Sequence, residues 1–444
     1  MPVLRKSRLL ALAASTFILA IAPHSASAQQ PSATPALNDT PTAAPNTEEM
    51  RLKGIARDNS RMFGSDPDDP GPLAKDLSPA ITPDAISAAT RKVADWELNT
   101  YGQYFDVLDR ARQLDGRIWT WAVLYTGYMA AADTLHQTRY REAMEKMGES
   151  YHWELITKLP ALPNADNTSV AQTYLELYLQ DRKPEQIDPT RASLDAILAA
   201  PRVPLTPETS TATPGHRIEW WWCDALFMGP PVWARMYAAT GQMKYVNFLD
   251  EEFAKTSNLL YDPTAHLYFR DASFIHKTEP NGQKMFWSRG EGWVMAGIAR
   301  TLEYLPEGDP ARAKYVLQLQ QMSAAVAKIQ QPDGLWTSGL LDPAAYNHQP
   351  EISGSSLMTF AMAWGINNGV LDRKTYTPVV TRAWDGMLHH IYADGRLGDI
   401  QQTGSQPSTF KPSASYNYGI GGFLLAGSEM YKLAQTHHPA GKKK

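Results

Sequence analysis

The sequence predicts an all-α protein, an (α/α)6 barrel, from three observations. Twelve segments between residues 84 and 435 carry the apolar spacing and the flanking Gly, Pro and Asp residues of helices. Charge-poor segments rich in small residues alternate with charged amphipathic ones, which indicates that inner and outer helices alternate. The pair of one charged and one charge-poor segment recurs after about 50 to 60 residues, with variable spacing. An irregular helical array or an open solenoid is the alternative.

The odd-numbered segments are predicted to form the outer layer, because they mix Lys, Arg and Glu with apolar residues. They are 84–100, 138–157, 188–199, 242–257, 309–330 and 375–391. The even-numbered segments are predicted to form the inner layer, and the segment 418–427 within the last of them carries no charge. They are 119–133, 169–180, 220–239, 289–304, 354–369 and 417–435.

Residues 1–28 are predicted to be a secretory signal peptide. Arg5, Lys6 and Arg8 precede an apolar run over 9–22, and small residues at 26–28 suit a signal peptidase. We therefore expect an exported protein, either periplasmic or secreted, with an uncleaved anchor as the alternative. Residues 29–83 are rich in Pro and Ala and are predicted to be a disordered linker. The catalytic domain is predicted to span 84–444.

Composition and missing motifs narrow the class of function. The 444 residues carry a net charge of -4, which gives no basic surplus for nucleic acid. The single cysteine excludes a disulfide framework and a CxxC metal site, and nucleotide-binding motifs are absent from the sequence. We expect no metal, no cofactor and, after signal cleavage, no membrane contact; the oligomeric state is left open. Thirteen Trp residues suit a sugar-binding cleft.

The candidate site follows from the barrel itself. If the inner helices run parallel, their N-terminal ends gather at one mouth, and the residues there are aromatic and polar. Rings stack on sugar faces, hydroxyls pair with charges and carboxylic acids do the chemistry. Trp119 and Trp121 open the second segment, and we choose Trp121 and Trp222 as sugar-binding rings.

Two aspartates are candidates for acid and base catalysis. Asp224 lies in a Trp-rich run, where desolvation would raise its pKa as a general acid requires. Asp166 precedes the apolar segment that begins at 169 and would supply a second carboxylate. For both residues, a role as a helix N-cap is the alternative.

Arg289 is a candidate for binding a substrate carboxylate. It lies between Trp287 and Trp293, and a guanidinium group binds a carboxylate through two hydrogen bonds. The alternative is a structural ion pair with Glu291 or Asp224.

Three motifs resemble those of the unsaturated glucuronyl and rhamnogalacturonyl hydrolases, glycoside hydrolase families 88 and 105, and family 105 more closely. Residues 222–231 read WCDALFMGPP, and residues 287–293 read WSRGEGW, similar to the common W-x-R-G-N-G-W. Residues 166–178 are a weaker match. The resemblance spans roughly residues 90–435.

The resemblance implies an (α/α)6 barrel that removes a terminal 4,5-unsaturated uronic acid from lyase-generated oligosaccharides, of pectin or rhamnogalacturonan type, without metal or cofactor. Such enzymes protonate C4 and add water at C5. By position Asp224 would be the acid that also activates water, and Asp166 would lie near the sugar hydroxyls. Arg289 and Trp293 would line the site of the terminal sugar, and Trp287 would form a further wall.

Two positions depart from the family pattern. Glu291 replaces the usual Asn, and Arg270 stands where relatives often carry His; both are expected to contact substrate, and Arg270 could recognise a sulfate or a second carboxylate. A glycosidase for saturated uronic-acid or rhamnose-containing glycans, with Asp166 or Glu291 as second carboxylate, remains an alternative. A non-catalytic glycan-binding barrel and a sugar epimerase are others.

Overall fold

The computed structural model describes residues 64–109, 114–211 and 218–437. Twelve helices of more than ten residues lie in this part of the chain. They are α1 (Pro83–Tyr101), α2 (Trp119–Leu135), α3 (Thr138–Ser150), α4 (Ala171–Asp181), α5 (Asp188–Ala199), α6 (Pro230–Thr240), α7 (Met243–Leu260), α8 (Ser288–Leu302), α9 (Arg312–Lys328), α10 (Ile352–Asn367), α11 (Arg373–Leu388) and α12 (Asn417–His437).

The even-numbered helices form a closed inner ring. Each packs against the next even-numbered helix, and α12 packs against α2 and closes the ring. The odd-numbered helices lie outside: α3 packs on α2, α7 on α6, α9 on α8 and α11 on α10, while α1 packs chiefly on α12. This confirms the predicted (α/α)6 barrel.

Small residues allow the inner helices to approach one another. A Cβ on Gly127 of α2 would lie 2.7 Å from the carbonyl oxygen of Gly421 on α12, so both helices need glycine at this contact. Every residue of α8 is buried, which explains why the inner segments carry so few charges.

Six two-residue strands form three antiparallel pairs in the connections. They are β1 (Gly64–Ser65), β2 (Leu108–Asp109), β3 (Leu114–Asp115), β4 (Tyr261–Asp262), β5 (Leu267–Tyr268) and β6 (Ser415–Tyr416). β1 pairs with β6, β2 with β3 and β4 with β5. The last pair is a hairpin that reaches the site described below.

The predicted segment 220–239 is wrong in its first half. A one-turn helix, Ala225–Met228, is followed by Gly229, and α6 begins only at Pro230. Pro230 and Pro231 cannot donate backbone hydrogen bonds, and a residue before proline disfavours helical geometry, so one long helix cannot form here. As a result Asp224 lies on an irregular segment before α6.

The predicted linker 29–83 also differs from the structure from residue 64 onward. Besides the β1–β6 pair, Ala393 donates its N–H to the carbonyl of Pro72, and Ala74 donates to Ile391. These residues bury little apolar surface, but their backbone groups find partners on the barrel, which composition does not reveal. The signal peptide and residues 29–63 lie outside the described residues. Among the described helices, none is long and apolar enough to cross a bilayer.

Candidate active site

The N-terminal ends of the inner helices meet at one end of the barrel, as predicted. Trp119 at the start of α2 stacks on Tyr418 at the start of α12, with ring centroids 5.4 Å apart. The guanidinium group of Arg289, in the first turn of α8, lies 4.9 Å from the same Tyr418 ring and 3.4 Å from Ser353 Oγ on α10. The predicted carboxylates lie in the segments that lead into α4 and α6 at this end.

Asp224 has one ion-pair partner and one hydrogen-bond donor, and it keeps one oxygen available. Its Oδ2 is 3.3 Å from Arg270 Nε and 3.5 Å from Cys223 Sγ, whose thiol donates to it. Its side chain caps no helix, and Oδ1 has no hydrogen bond to any described residue. The residue is 9% exposed. An oxygen without a protein partner at the mouth is suited to proton exchange with a substrate.

Asp166 also is not a helix cap. It lies in the one-turn helix Ala165–Thr168, which Asn164 caps by accepting from the N–H of Asn167 at 2.9 Å. Burial, followed by the negative charge of Asp224, raises the pKa of Asp166 to about 7, against the opposing effect of Arg270. The sequence predicted only a second carboxylate at Asp166, and its raised pKa is a finding of the structure.

Arg270 connects the pair to the β4–β5 hairpin. Its Nη1 donates to Asp271 Oδ2 at 2.8 Å, and its guanidinium carbon lies 5.6 Å from the Trp221 ring centre. Burial opposes its charge, but Asp224 and then Asp271 outweigh burial and hold the pKa of Arg270 above its ordinary value. Its carbonyl accepts from the N–H of Cys223 at 2.8 Å, so the hairpin is attached directly beside Asp224.

The partly exposed rings at the mouth are Trp119 and Trp221. Trp119 meets Trp293 edge-on at 6.2 Å, and Trp293 packs on Phe227 at 5.1 Å. Trp222, predicted to bind substrate, is buried beneath Trp221 with centroids 4.8 Å apart. Trp222 and Trp293 therefore support the exposed rings from below.

The choice of Trp121 as a substrate-binding ring is wrong. Trp121 is 0% exposed and packs against Phe105 and Tyr125. Residues two positions apart on an α-helix lie about 200° apart around its axis, so Trp119 and Trp121 face opposite sides. The helical period could have separated the two rings, but it could not say which of them faces the mouth.

Arg289 does not form the predicted ion pair with Glu291 or Asp224: its Nη1 lies 3.8 Å from Glu351 Oε1 instead, and its binding of a substrate carboxylate stays a prediction. Its Nη1 and Nη2 donate to the carbonyls of Gln401 and Gln402 at 2.7 and 2.8 Å, and its guanidinium stacks over Trp287 at 4.4 Å. Trp287 Nε1 donates to Gln401 Oε1 at 2.7 Å. Arg289 and Trp287 thus hold the loop around Gln401 in place, and both side chains are almost fully buried.

Glu291 faces away from the mouth. It is 0% exposed, and both of its carboxyl oxygens accept from the N–H of Tyr268, at 2.8 and 3.1 Å. Its predicted contact with substrate is therefore wrong. Burial raises the pKa of Glu291 well above its ordinary value, and the hydrogen bond from Tyr268 only partly opposes this.

The arrangement has the parts that acid and base chemistry on an anionic sugar requires. Asp224 pairs with Arg270, Asp166 is close enough for both to influence its pKa, and the partly exposed rings of Trp119 and Trp221 lie at the same mouth. In the described residues, no group of three or more His, Cys, Asp and Glu side chains could hold a metal ion.

Comparison with known proteins identifies the family. The family model described as Glycosyl Hydrolase Family 88 matches residues 89–434. A protein of Formosa agariphila named unsaturated 3S-rhamnoglycuronyl hydrolase is 37% identical over 326 residues, which cover 71% of this chain and 85% of the relative. A protein of the same name from Alteromonas sp. (strain LOR) is 32% identical over 371 residues, 80% of this chain and 89% of that one.

A solved structure described as a polysaccharide lyase superposes with a TM-score of 0.70 at 28% identity, covering 80% of this chain and 98% of the other. The family match spans most of the barrel, including both aspartates and Arg270. The chain therefore belongs to glycosyl hydrolase family 88 and is a glycoside hydrolase that removes unsaturated uronic acid from oligosaccharides.

Proposed function

We propose that Asp224 carries out the chemical step, the hydration of the C4=C5 enol ether of a terminal unsaturated uronic acid. The single observation that carries this assignment is the oxygen Oδ1 of Asp224, which has no partner among the described residues at the mouth of the barrel. The other oxygen is held by Arg270 and Cys223, so the carboxyl group is oriented as well as available.

The step balances with one carboxyl group and one water molecule. Asp224 gives a proton to C4, and the positive charge that develops is shared by C5 and the ring oxygen. Water then adds to C5 and returns a proton to Asp224. The resulting hemiketal opens, and the aglycone leaves with its oxygen. A uronate bound beside Arg270 competes with Asp224 for that cation, and a carboxylate that loses its cation takes up a proton more readily.

Asp166 is proposed to orient the sugar. Below pH of about 7 its carboxyl group is largely protonated and can donate a hydrogen bond to a sugar hydroxyl. A protonated Asp166 also places no negative charge beside Asp224. Trp119 and Trp221, the partly exposed rings, are proposed to stack on sugar faces on either side of the reacting bond.

For the sugar after the uronic acid we propose a sulfated rhamnose, with a plain rhamnogalacturonan-type sugar as second candidate. Two relatives carry "3S-rhamnoglycuronyl" in their names, which we take to denote 3-O-sulfated rhamnose. Arg270 Nη2 has no hydrogen bond to any described residue, and a guanidinium edge suits sulfate.

Ultraviolet absorbance tests the reaction, because hydration destroys the conjugated enol ether. The substrates are unsaturated disaccharides with sulfated rhamnose, unsulfated rhamnose and other sugars as second residue. We expect absorbance to fall with the parent enzyme and to stay constant with Asp224→Asn. No change with a folded parent, together with turnover of saturated uronides, would identify the two-carboxylate glycosidase; rising absorbance on intact polymer would identify a lyase.

The role of Arg270 is tested by the sulfate preference itself. We expect Arg270→Met to reduce the ratio of kcat/KM for sulfated over unsulfated disaccharide to about one, which is a loss of roughly 1–3 kcal/mol of discrimination. If both substrates lose activity by the same factor, Arg270 acts on the uronate or on Asp224 and does not read the sulfate.

We also propose that the protein is exported, on the support of the signal-peptide pattern at residues 1–28. N-terminal sequencing of the protein from periplasm and medium tests this. A mature chain that begins at Gln29 is the expected result, and a cytoplasmic chain that begins at Met1 would contradict it.

A further inference from the structure

Glu291 is an unusual feature of the inner ring because it is a carboxyl group with no cation beside it. It is fully buried in the first turn of α8, and no Lys, Arg or His of the described residues lies within ion-pair distance. A buried, unpaired negative charge is costly, and such a group is stable only when it is neutral.

The titratable groups that face Glu291 are the thiol of Cys223 and the hydroxyls of Tyr261 and Tyr268. None of them is a cation. Glycine at 290 lets α8 approach Cys223, since a Cβ there would lie 3.3 Å from its Sγ. The carboxyl group is therefore enclosed between α8, the segment before Asp224 and the β4–β5 hairpin.

The contact of Glu291 with Tyr268 has consequences for the catalytic pair. Tyr268 pairs with Tyr261 across the hairpin, and its N–H points to Glu291. Two residues later the same chain supplies Arg270, whose Nε lies 3.3 Å from Asp224. The attachment of the hairpin at Tyr268 thus acts together with the hydrogen bond from the Cys223 N–H to the Arg270 carbonyl in holding Arg270 beside Asp224.

We propose that Glu291 is a positioning residue, protonated in the folded protein, that anchors the hairpin at Tyr268 and so keeps Arg270 on Asp224. The proposal rests on the proposed roles of Arg270 and Asp224. As a neutral acid, Glu291 accepts from the backbone as an amide would, and it takes no part in proton transfer to the substrate.

Two variants separate anchoring from catalysis. Glu291→Gln keeps a neutral acceptor of the same shape, and we expect kcat/KM within about threefold of the parent enzyme. Glu291→Leu fills the space but leaves the Tyr268 N–H unpaired. We expect it to lower kcat/KM about tenfold or more and to reduce the ratio of kcat/KM for sulfated over unsulfated disaccharide, as Arg270→Met is expected to do. Inactivity of Glu291→Gln at the level of Asp224→Asn, or an unchanged ratio for the two disaccharides in Glu291→Leu, would overturn the proposal.

The protonation is tested without any substrate, by thermal unfolding of the parent and of Glu291→Gln from pH 5 to pH 8. A folded pKa above the unfolded one favours folding below the unfolded pKa, and that contribution is lost as pH rises. We therefore expect the difference in Tm, Glu291→Gln minus parent, to increase by about 1 °C or more for each unit by which pH rises. A Tm difference that does not change with pH would show that Glu291 is ionised.

A matched control is Glu252→Gln. Glu252 is also buried, but Arg202 and Lys255 pair with it at 3.0 and 2.8 Å. Glu252→Gln is expected to have a lower Tm than the parent, and the difference between the two Tm values should not increase in the variant's favour as pH rises. Because unfolding needs no substrate, this measurement decides whether Glu291 is protonated in the folded protein even if the disaccharide panel shows no hydrolysis.

Discussion

The two ends of the barrel use the same residue types for different purposes. At the mouth, Arg270 pairs with Asp224 at 3.3 Å, and Asp166 has no ion pair among the described residues. Farther from the mouth, Glu176 in the middle of α4 accepts from both Arg235 and Arg300, with N–O distances of 2.6 and 2.7 Å, and Glu303 lies 3.3 Å from Arg235. Glu176, Arg300 and Glu303 border a cavity of about 200 Å³.

The difference in partners leads to opposite pKa shifts. Burial opposes the charge of Glu176, but Arg235 and then Arg300 outweigh burial and hold the pKa of Glu176 below its ordinary value. At the mouth, burial and the neighbouring carboxylate raise the pKa of Asp166 to about 7. A carboxyl group that pairs with two arginines stabilises the fold as a counterion, whereas a buried one beside a second carboxylate and without an ion pair retains a proton that chemistry can use.

The largest expected effect is on activity at the mouth. Asp224→Asn should lower kcat/KM by about a thousandfold, roughly 4 kcal/mol of transition-state stabilisation, while Tm changes by no more than about 2 °C. The reason is that Asp224 is the proposed proton donor, whereas Arg270 keeps Asp271 as a partner in the variant. Initial rates from the enol-ether absorbance and a thermal melt measure the two effects. A large fall in Tm would place Asp224 among the structural carboxylates.

The matching change at the other end should affect stability alone. Glu176→Gln leaves Arg235 and Arg300 buried without their shared counterion, and we expect a loss of about 3 kcal/mol in the free energy of unfolding. Denaturant unfolding measures the loss, and kcat/KM of the folded enzyme should not change. Glu185→Gln, at an exposed position before α5, is the control. Equal losses in both variants would remove the contrast between buried and exposed carboxylates.

A smaller effect is expected from the rings of α2. Trp119→Leu should raise KM about tenfold, near 1.4 kcal/mol, because a partly exposed ring at the mouth no longer stacks on sugar. The same change at the fully buried Trp121 should lower stability and leave KM unaltered. Steady-state kinetics and thermal melts of the two variants give this comparison. A raised KM in Trp121→Leu would show that Trp121 contributes to substrate binding after all.

The smallest expected effect is the stability gained by neutralising Asp166. Its folded pKa of about 7 lies above the ordinary value of 3.8, so its contribution to stability is present at low pH and is lost as pH rises through 7. Asp166→Asn should therefore gain about 1 kcal/mol over the parent between pH 4 and pH 7, after allowance for partial exposure. Denaturant unfolding of both proteins at pH 5 and pH 8 measures this. A difference in the free energy of unfolding that is the same at both pH values would contradict the prediction.

The same variant sharpens the assignment of the catalytic pair. If a protonated Asp166 holds the sugar, kcat/KM of the parent enzyme should fall as pH rises through about 7. This alkaline limb of the pH profile should be absent in Asp166→Asn. A limb that persists in the variant would belong to another group, and the role of Asp166 would then be limited to its effect on Asp224.

Much of this protein follows from local pattern in the sequence. The helical period and the flanking Gly, Pro and Asp residues locate twelve helices, and charge content separates inner from outer ones. Both signals depend on residues within one or two helical turns, so they can be recognised in the sequence. The motifs around Asp224 and Asp166 likewise lie in short runs, so the pair and the family can be read from the sequence alone.

The tertiary structure decided what each of these residues contacts. Arg289 binds carbonyls more than a hundred residues away, Glu291 binds the N–H of Tyr268, and residues 64–82 lie against the far end of the chain. The pKa of Asp166 is raised because folding buries its carboxyl group and brings the negative charge of Asp224 near it. Burial and charge pairing depend on groups brought together only by folding, so neither can be read from a residue and its neighbours in sequence.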